Sequence, residues 1–296
     1  MQHNEFKAYH PLVNFIYFIC VIGFSCVLLH PFCLLISFVL ACSFSILLKG
    51  GKARKNLLYL LPTVLLLALL NPLFNHRGAT VLAYFPNGNP LTLESVFYGV
   101  AAAMMVACVV LWFSCCTEVM TSDKIMYLFG KVLPSLSLVF SMTLRFVPRF
   151  IKKLKQVIDA QKTIGQSITH DNLLRRGKHA FSVLSVVITW ALENSIDTAD
   201  SLKARGFGLS GRTFFSLFTF KKRDVCALVV MLFLGAYTLY GCILGAVSFT
   251  YFPFMQGTKL SLFSVSVYVA YFVLLSYPLL VELREVIRWN VIKSKM

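Results

Sequence analysis

The sequence predicts an all-α, polytopic membrane protein: about six transmembrane helices interrupted by a helical cytoplasmic coupling insert over residues 117–224. Three observations lead there. Of 296 residues, 58% are apolar and the mean hydropathy is +0.75, too oily for a water-soluble chain of this length. Six apolar runs, about 12–29, 31–48, 57–74, 96–116, 225–247 and 261–281, stand between polar connections. At 1.5 Å per helical residue, a run of about eighteen covers roughly 27 Å, enough for the bilayer core. The third observation is charge. The chain has 28 Lys and Arg against 12 Asp and Glu, a net +16, and 26 of those 28 cations share one side when both ends are placed in the cytoplasm. Only Arg77 and Lys259 fall in the two outer connections. Cytoplasmic loops concentrate Lys and Arg, so this asymmetry sets the orientation. Topology and anionic lipid then explain the positive charge, and no nucleic-acid partner is called for.

In order along the chain, residues 1–116 hold four spans and 225–296 hold two spans and a basic tail. Val13–Leu29 follows a short basic start that resembles a signal-peptide leader, but no small-residue cleavage site follows it; it is expected to stay as the first span. His30-Pro31 is the tight turn into the second, since proline ends one helix and opens the next. The outer connection Asn75–Ser95, with its Pro86-Asn87-Gly88-Asn89-Pro90 cluster, reads as turns rather than a domain. The nine cysteines all lie in apolar runs without a C-x-x-C spacing, and read as small apolar side chains rather than a redox or zinc site.

The insert is net basic by nine yet rich in apolar helix. From Leu144, the polar positions Arg145, Arg149, Lys152, Lys153, Gln156 and Asp159 recur at helical spacing, with Val147, Ile151, Leu154 and Ile158 opposite them. Pro148 opens or kinks this helix. Its apolar side lies on an anionic membrane surface, packs on a neighbour, or does both. A polar connection, Gly165–Gly177, leads to a second helix over Phe181–Arg205. Phe181–Leu192 is apolar nearly all round. Beyond it Glu193, Asp197, Asp200 and Ala204 form one stripe, which reads as solvated or internally paired acids. Trp190, at the change of character, suits an interface.

That second helix ends at Lys203-Ala204-Arg205-Gly206-Phe207-Gly208. Glycine just past a helix end takes the left-handed conformation that other residues resist. The stop leaves one arginine on the last turn, where it complements the helix dipole or is offered to another protein. Catalytic parts are missing from the pattern. The spans have almost no ionisable residues, which argues against a proton path. There is no G-x-x-x-x-G-K-[ST] loop for ATP phosphates, no H-E-x-x-H and no G-x-S-x-G.

Leu144-Arg145-Phe146-Val147-Pro148, Asp159-Ala160-Gln161-Lys162, Asp200 to Gly208 and Gly211-Arg212-Thr213 resemble the transmembrane (T) components of energy-coupling factor (ECF) transporters, the CbiQ/EcfT family. The resemblance implies a non-catalytic subunit of a prokaryotic cell-membrane importer of vitamins or transition-metal ions. Its partners are one or two ABC-type ATPases, which hold the ATP and Mg, and a small membrane-embedded substrate-binding (S) subunit. No cofactor belongs to this chain. In the family, two long cytoplasmic helices each end in an arginine-centred motif that docks on an ATPase. Lys203, Ala204, Arg205 and Gly206 match the second motif. The first falls at Gln161, Lys162, Thr163, Ile164 and Gly165, with isoleucine where the arginine is expected. The alternative is a membrane scaffold whose basic insert recruits a soluble partner.

Overall fold

A computed structural model describes residues 5–84, 88–130, 134–164, 173–207, 218–259 and 261–293. The architecture is helical, with α1 (Pro11–Val27), α2 (Pro31–Lys49), α3 (Gly51–Phe74), α4 (Leu93–Val119), α5 (Ser122–Gly130), α6 (Pro134–Thr163), α7 (Leu173–Ala204), α8 (Lys222–Ile243) and α9 (Leu262–Lys293). Among the described residues, five of these are long and apolar enough to cross a membrane: α2, α3, α4, α8 and α9. The sixth expected span, α1, is apolar but only 17 residues long. The chain divides into two compact units, Met1–Ile125 with Phe218–Met296, and Met126–Leu217.

In the first unit the helices alternate in direction, as contacts at its two ends show. At one end Lys7 Nζ pairs with Glu118 at 2.9 Å, Lys49 Nζ donates to Ser114 Oγ at 2.6 Å, and Asp224 and Glu282 accept backbone N–H groups of His10 and Phe6, each at 3.3 Å. At the other, Tyr251 Oη donates to Leu29 O at 2.7 Å and Tyr268 Oη meets His30 Nε2 at 3.1 Å. The loop before α4 also lies at this second end. It contains an antiparallel pair, β1 (Val81–Tyr84) with β2 (Pro90–Thr92), and Thr92 Oγ1 donates to Arg77 O at 2.8 Å. A second short pair, β3 (Phe249–Thr250) with β4 (Gln256–Gly257), precedes α9.

The core forms around α1, whose Val13, Tyr17, Val21 and Phe24 recur at helical spacing and are buried. Tyr17 packs edge-on to Phe6 at 5.3 Å and to Trp112 of α4 at 6.2 Å, and Phe44 of α2 closes the cluster. Polar groups inside an apolar bundle need partners, and here they bridge helices. Tyr17 Oη donates to Leu275 O of α9 at 2.9 Å, Trp112 Nε1 to Ser37 Oγ of α2 at 3.0 Å, and Ser25 Oγ lies 3.1 Å from Ser37 Oγ. Cys33, Cys108 and Cys115 are buried free thiols, used as small core side chains.

His-Pro occurs at both α1 and α2. His10 and His30 are the N-cap residues, each with Nδ1 accepting from the backbone N–H two residues on, at 3.3 Å. Proline at the first helical position lacks the donor that would have gone unpaired there. Burial holds the His30 imidazole below its usual range, which keeps Nδ1 available as an acceptor.

The second unit is an antiparallel helical hairpin. Gln161 Nε2 of α6 donates to Ser182 Oγ of α7 at 3.2 Å, and Phe150 packs edge-on to Trp190 at 5.6 Å. Both helices start earlier than the sequence pattern indicates, α6 at Pro134 rather than Leu144 and α7 at Leu173 rather than Phe181. Pro148 lies inside α6, and Gly177 inside α7 rather than ending a connection. Gly costs about 1 kcal/mol in a helix interior, but Leu173, Leu174, Arg175, Arg176 and Lys178 around it are good helix formers.

Candidate functional site

The seam of the hairpin is set by helical periodicity. On α6, Phe146, Phe150, Lys153, Val157 and Gln161 are half-buried; on α7, Val183 and Val187 are buried and Ala191, Asn194, Thr198 and Leu202 half-buried. Trp190 sits in this seam, with Lys153 Nζ over its ring at 5.6 Å. The apolar line read from the sequence, Val147, Ile151, Leu154 and Ile158, is one residue round from the seam; its first three members stay 46%, 49% and 37% exposed within the chain, and Ile158 is half-buried. Phe150 is drawn to Trp190, and this rotation leaves α6 with a second apolar face.

The end of α7 is a complete Schellman cap. Phe207 N donates to Leu202 O at 3.0 Å and Gly206 N to Lys203 O at 2.9 Å, around a Gly206 φ of +75°. A side chain at that φ would be strained, so glycine is the residue that lets the helix stop here. Arg205 is the last residue before the reversal. Its side chain is exposed, and its guanidinium makes no hydrogen bond or ion pair among the described residues. Lys203 lies 4.0 Å from Asp200, an exposed pair worth a few tenths of a kcal/mol. Glu193, Asp197 and Asp200 are exposed, as a solvated acidic stripe is. Gly208 and Gly211-Arg212-Thr213 lie outside the described residues.

At the end of α6, Lys162 pairs with Asp159 at 3.2 Å, Thr163 Oγ1 donates to Ala160 O at 2.7 Å, and Ile164 is 77% exposed. Gly165 and the connection 165–172 lie outside the described residues. Because the helices are antiparallel, the two motif ends are at opposite ends of the hairpin. Gln161 is level with Ser182, and Arg205 lies 23 residues beyond Ser182 along α7. At 1.5 Å per residue that is roughly 34 Å. The structure therefore does not bring Arg205 and Ile164 together into one site; it presents two separate tips.

Sequence reasoning missed a charged cluster at one end of the first unit. Lys124 is 5% exposed, and its Nζ donates to Lys7 O at 2.6 Å. With the Asn14 amide oxygen turned toward this amine it accepts at 2.8 Å, while the amide nitrogen donates to Phe6 O at 3.2 Å. Asp224 is 2% exposed and also accepts from Lys221 N at 3.0 Å, capping α8 while holding the start of α1. With Glu282 of α9, which accepts from Phe6 N, four distant stretches converge here. The available signal was the acidic residue three positions into an apolar helix, the capping-box spacing.

The fold is that of a polytopic helical membrane protein with an inserted two-helix hairpin, one end of which carries an exposed arginine. The chain belongs to the CbiQ family, described as cobalt transport protein, whose profile matches residues 6–215. It is similar to the energy-coupling factor transporter transmembrane protein EcfT of Lactobacillus helveticus, 28% identical over 38% of this chain and 40% of that protein. The protein of the same name from Listeria innocua is 28% identical over 56% of this chain and 66% of its own length. That from Brevibacillus brevis is 30% identical over 36% and 40%. The chain thus spans about two fifths to two thirds of the length of the curated relatives it matches.

Proposed function

We propose that this chain is the transmembrane coupling subunit of an ECF-type importer, relaying the closing of one or two ABC-type ATPases to a separate membrane-embedded S subunit that binds a vitamin or transition-metal ion. ATP and Mg are held by the ATPases, and this chain catalyses no reaction. Its helices cross a prokaryotic cell membrane with the basic insert and both ends in the cytoplasm. The observation that carries this reading is the α7 tip: a Schellman-capped helix ending on an exposed Arg205 with no partner of its own among the described residues.

An arginine buried between proteins needs a carboxylate or carbonyl partner, because a desolvated unpaired charge is costly. Truncating one member of such a pair costs about 2–5 kcal/mol, or roughly two to three decades in affinity. Lys203, Ala204 and Gly206 complete the motif: they set the helix end that aims the guanidinium. The expected outcome is that Arg205→Glu abolishes ATP-driven uptake while the protein still inserts in the membrane. Wild-type uptake with normal ATPase association in that variant would remove Arg205 from the mechanism.

A further inference from the structure

At the charged end of the first unit, a cleft of about 660 Å³ opens between α8, α9 and the segment before α1. Arg223, Arg284 and Arg288 line it together with Tyr9, Ala227 and Leu280; Glu5 and Glu285 are also on its wall. Arg223 is held in place, 3.2 Å from Glu5 and with its guanidinium 4.2 Å from the centre of the Tyr9 ring. Arg284 and Arg288 are one helical turn apart on α9, exposed, and make no ion pair among the described residues. They stand where the long apolar run of α9, ending near Val281, gives way to charge. On the α8 side, Val230 and Phe233 follow Cys226 on one helical face, 39% and 70% exposed. The cleft, walled on the α8 side by Cys226 and Ala227, thus sets two cations with no ion pair among the described residues beside exposed apolar helix surface, at the end of the apolar run of a candidate span.

We propose that this cleft binds the phosphate headgroup of one anionic phospholipid, with Arg284 and Arg288 on the phosphate and an acyl chain along Val230 and Phe233 of α8. Arginine suits this ligand because its planar fork donates two parallel hydrogen bonds to phosphate oxygens. An acidic segment of a partner protein would satisfy the cations but would not use the apolar wall. The site rests only on the chain's being embedded in a membrane, and is independent of the coupling role of α7.

The test uses the full chain in nanodiscs of phosphatidylcholine doped with phosphatidylglycerol, with bound lipid counted by native mass spectrometry after gentle release. The wild type is expected to retain one phosphatidylglycerol in preference to phosphatidylcholine. The R284Q/R288Q double variant should lower that preference roughly ten- to thirtyfold, about half to three quarters of a decade per cation lost near a membrane surface. A control pair, K52Q/R54Q on the exposed start of α3, should leave it unchanged. In wild type only, phosphatidylglycerol should raise the unfolding midpoint, a readout that separates lost binding from lost folding. Equal retention of both lipids by the wild type would overturn the proposal. So would an equal loss in the control pair, which marks diffuse surface charge, or displacement of the lipid by inorganic phosphate alone, which marks a free-anion site. Recovery of an acidic peptide in place of lipid would likewise overturn it.

Discussion

Lys124 shows how one buried residue sets a pH dependence. Burial, and secondarily the Lys7 charge, pull its amine from the usual 10.5 down to about 8. Lowering a base in the folded state means that, between pH 8 and 10.5, the folded chain has released a proton that the unfolded chain still holds. Stability therefore rises with pH across that window, by at most about 1.4 kcal/mol per pH unit for one proton. In Lys124→Met that rise should vanish, so the difference between wild type and variant grows as pH climbs from 8 to 10. Unfolding midpoints in mild detergent at several pH values measure it. Parallel pH profiles for the two proteins would mean that the amine titrates as it does in water.

Among the elements, α7 is the one whose end carries the proposed role, and the conformation of Gly206 can be separated from the chemistry of Arg205. Gly206→Val places a β-branched side chain at φ +75°, a cost of at least about 1–2 kcal/mol that the last turn can relieve by unwinding. Asparagine tolerates that conformation far better. ATPase association measured with purified partners should fall in Gly206→Val although Arg205 is intact, and should be largely kept in Gly206→Asn. If valine and asparagine behave alike, the cap does not position the arginine. This end was legible in the sequence because a C-cap is local: Ala204-Arg205-Gly206 is contiguous, and the cap's hydrogen bonds reach back only to Ser201, Leu202 and Lys203. The spans were legible for the same reason, as unbroken apolar runs. The starts of α6 and α7 were not, since polar turns with Gly177 or Pro148 nearby look like connections until tertiary packing decides. Least legible was the Lys124, Asp224 and Glu282 cluster, built from residues up to 276 positions apart along the chain.

For the whole molecule, the length of the hairpin is what matters. Two tips roughly 34 Å apart along an antiparallel pair are too far separated to share one small groove. On the proposed coupling role, they suit two sockets, one on each member of an ATPase pair. The tips differ in chemistry: Arg205 is a cation, whereas Ile164, 77% exposed, is an apolar knob beside the Lys162–Asp159 pair. If the Ile164 tip docks by apolar contact, burying the side chain contributes about 1–3 kcal/mol. Ile164→Asp would put a carboxylate into that contact without a partner and should weaken ATPase binding by one to two decades. Ile164→Arg should be tolerated, because a long aliphatic stem can cover the same surface while its head stays in water. Titrating purified ATPases against the solubilised wild type and the two variants compares all three. Equal affinities would mean that this tip touches no ATPase, leaving Arg205 to carry the coupling from one end of the hairpin alone.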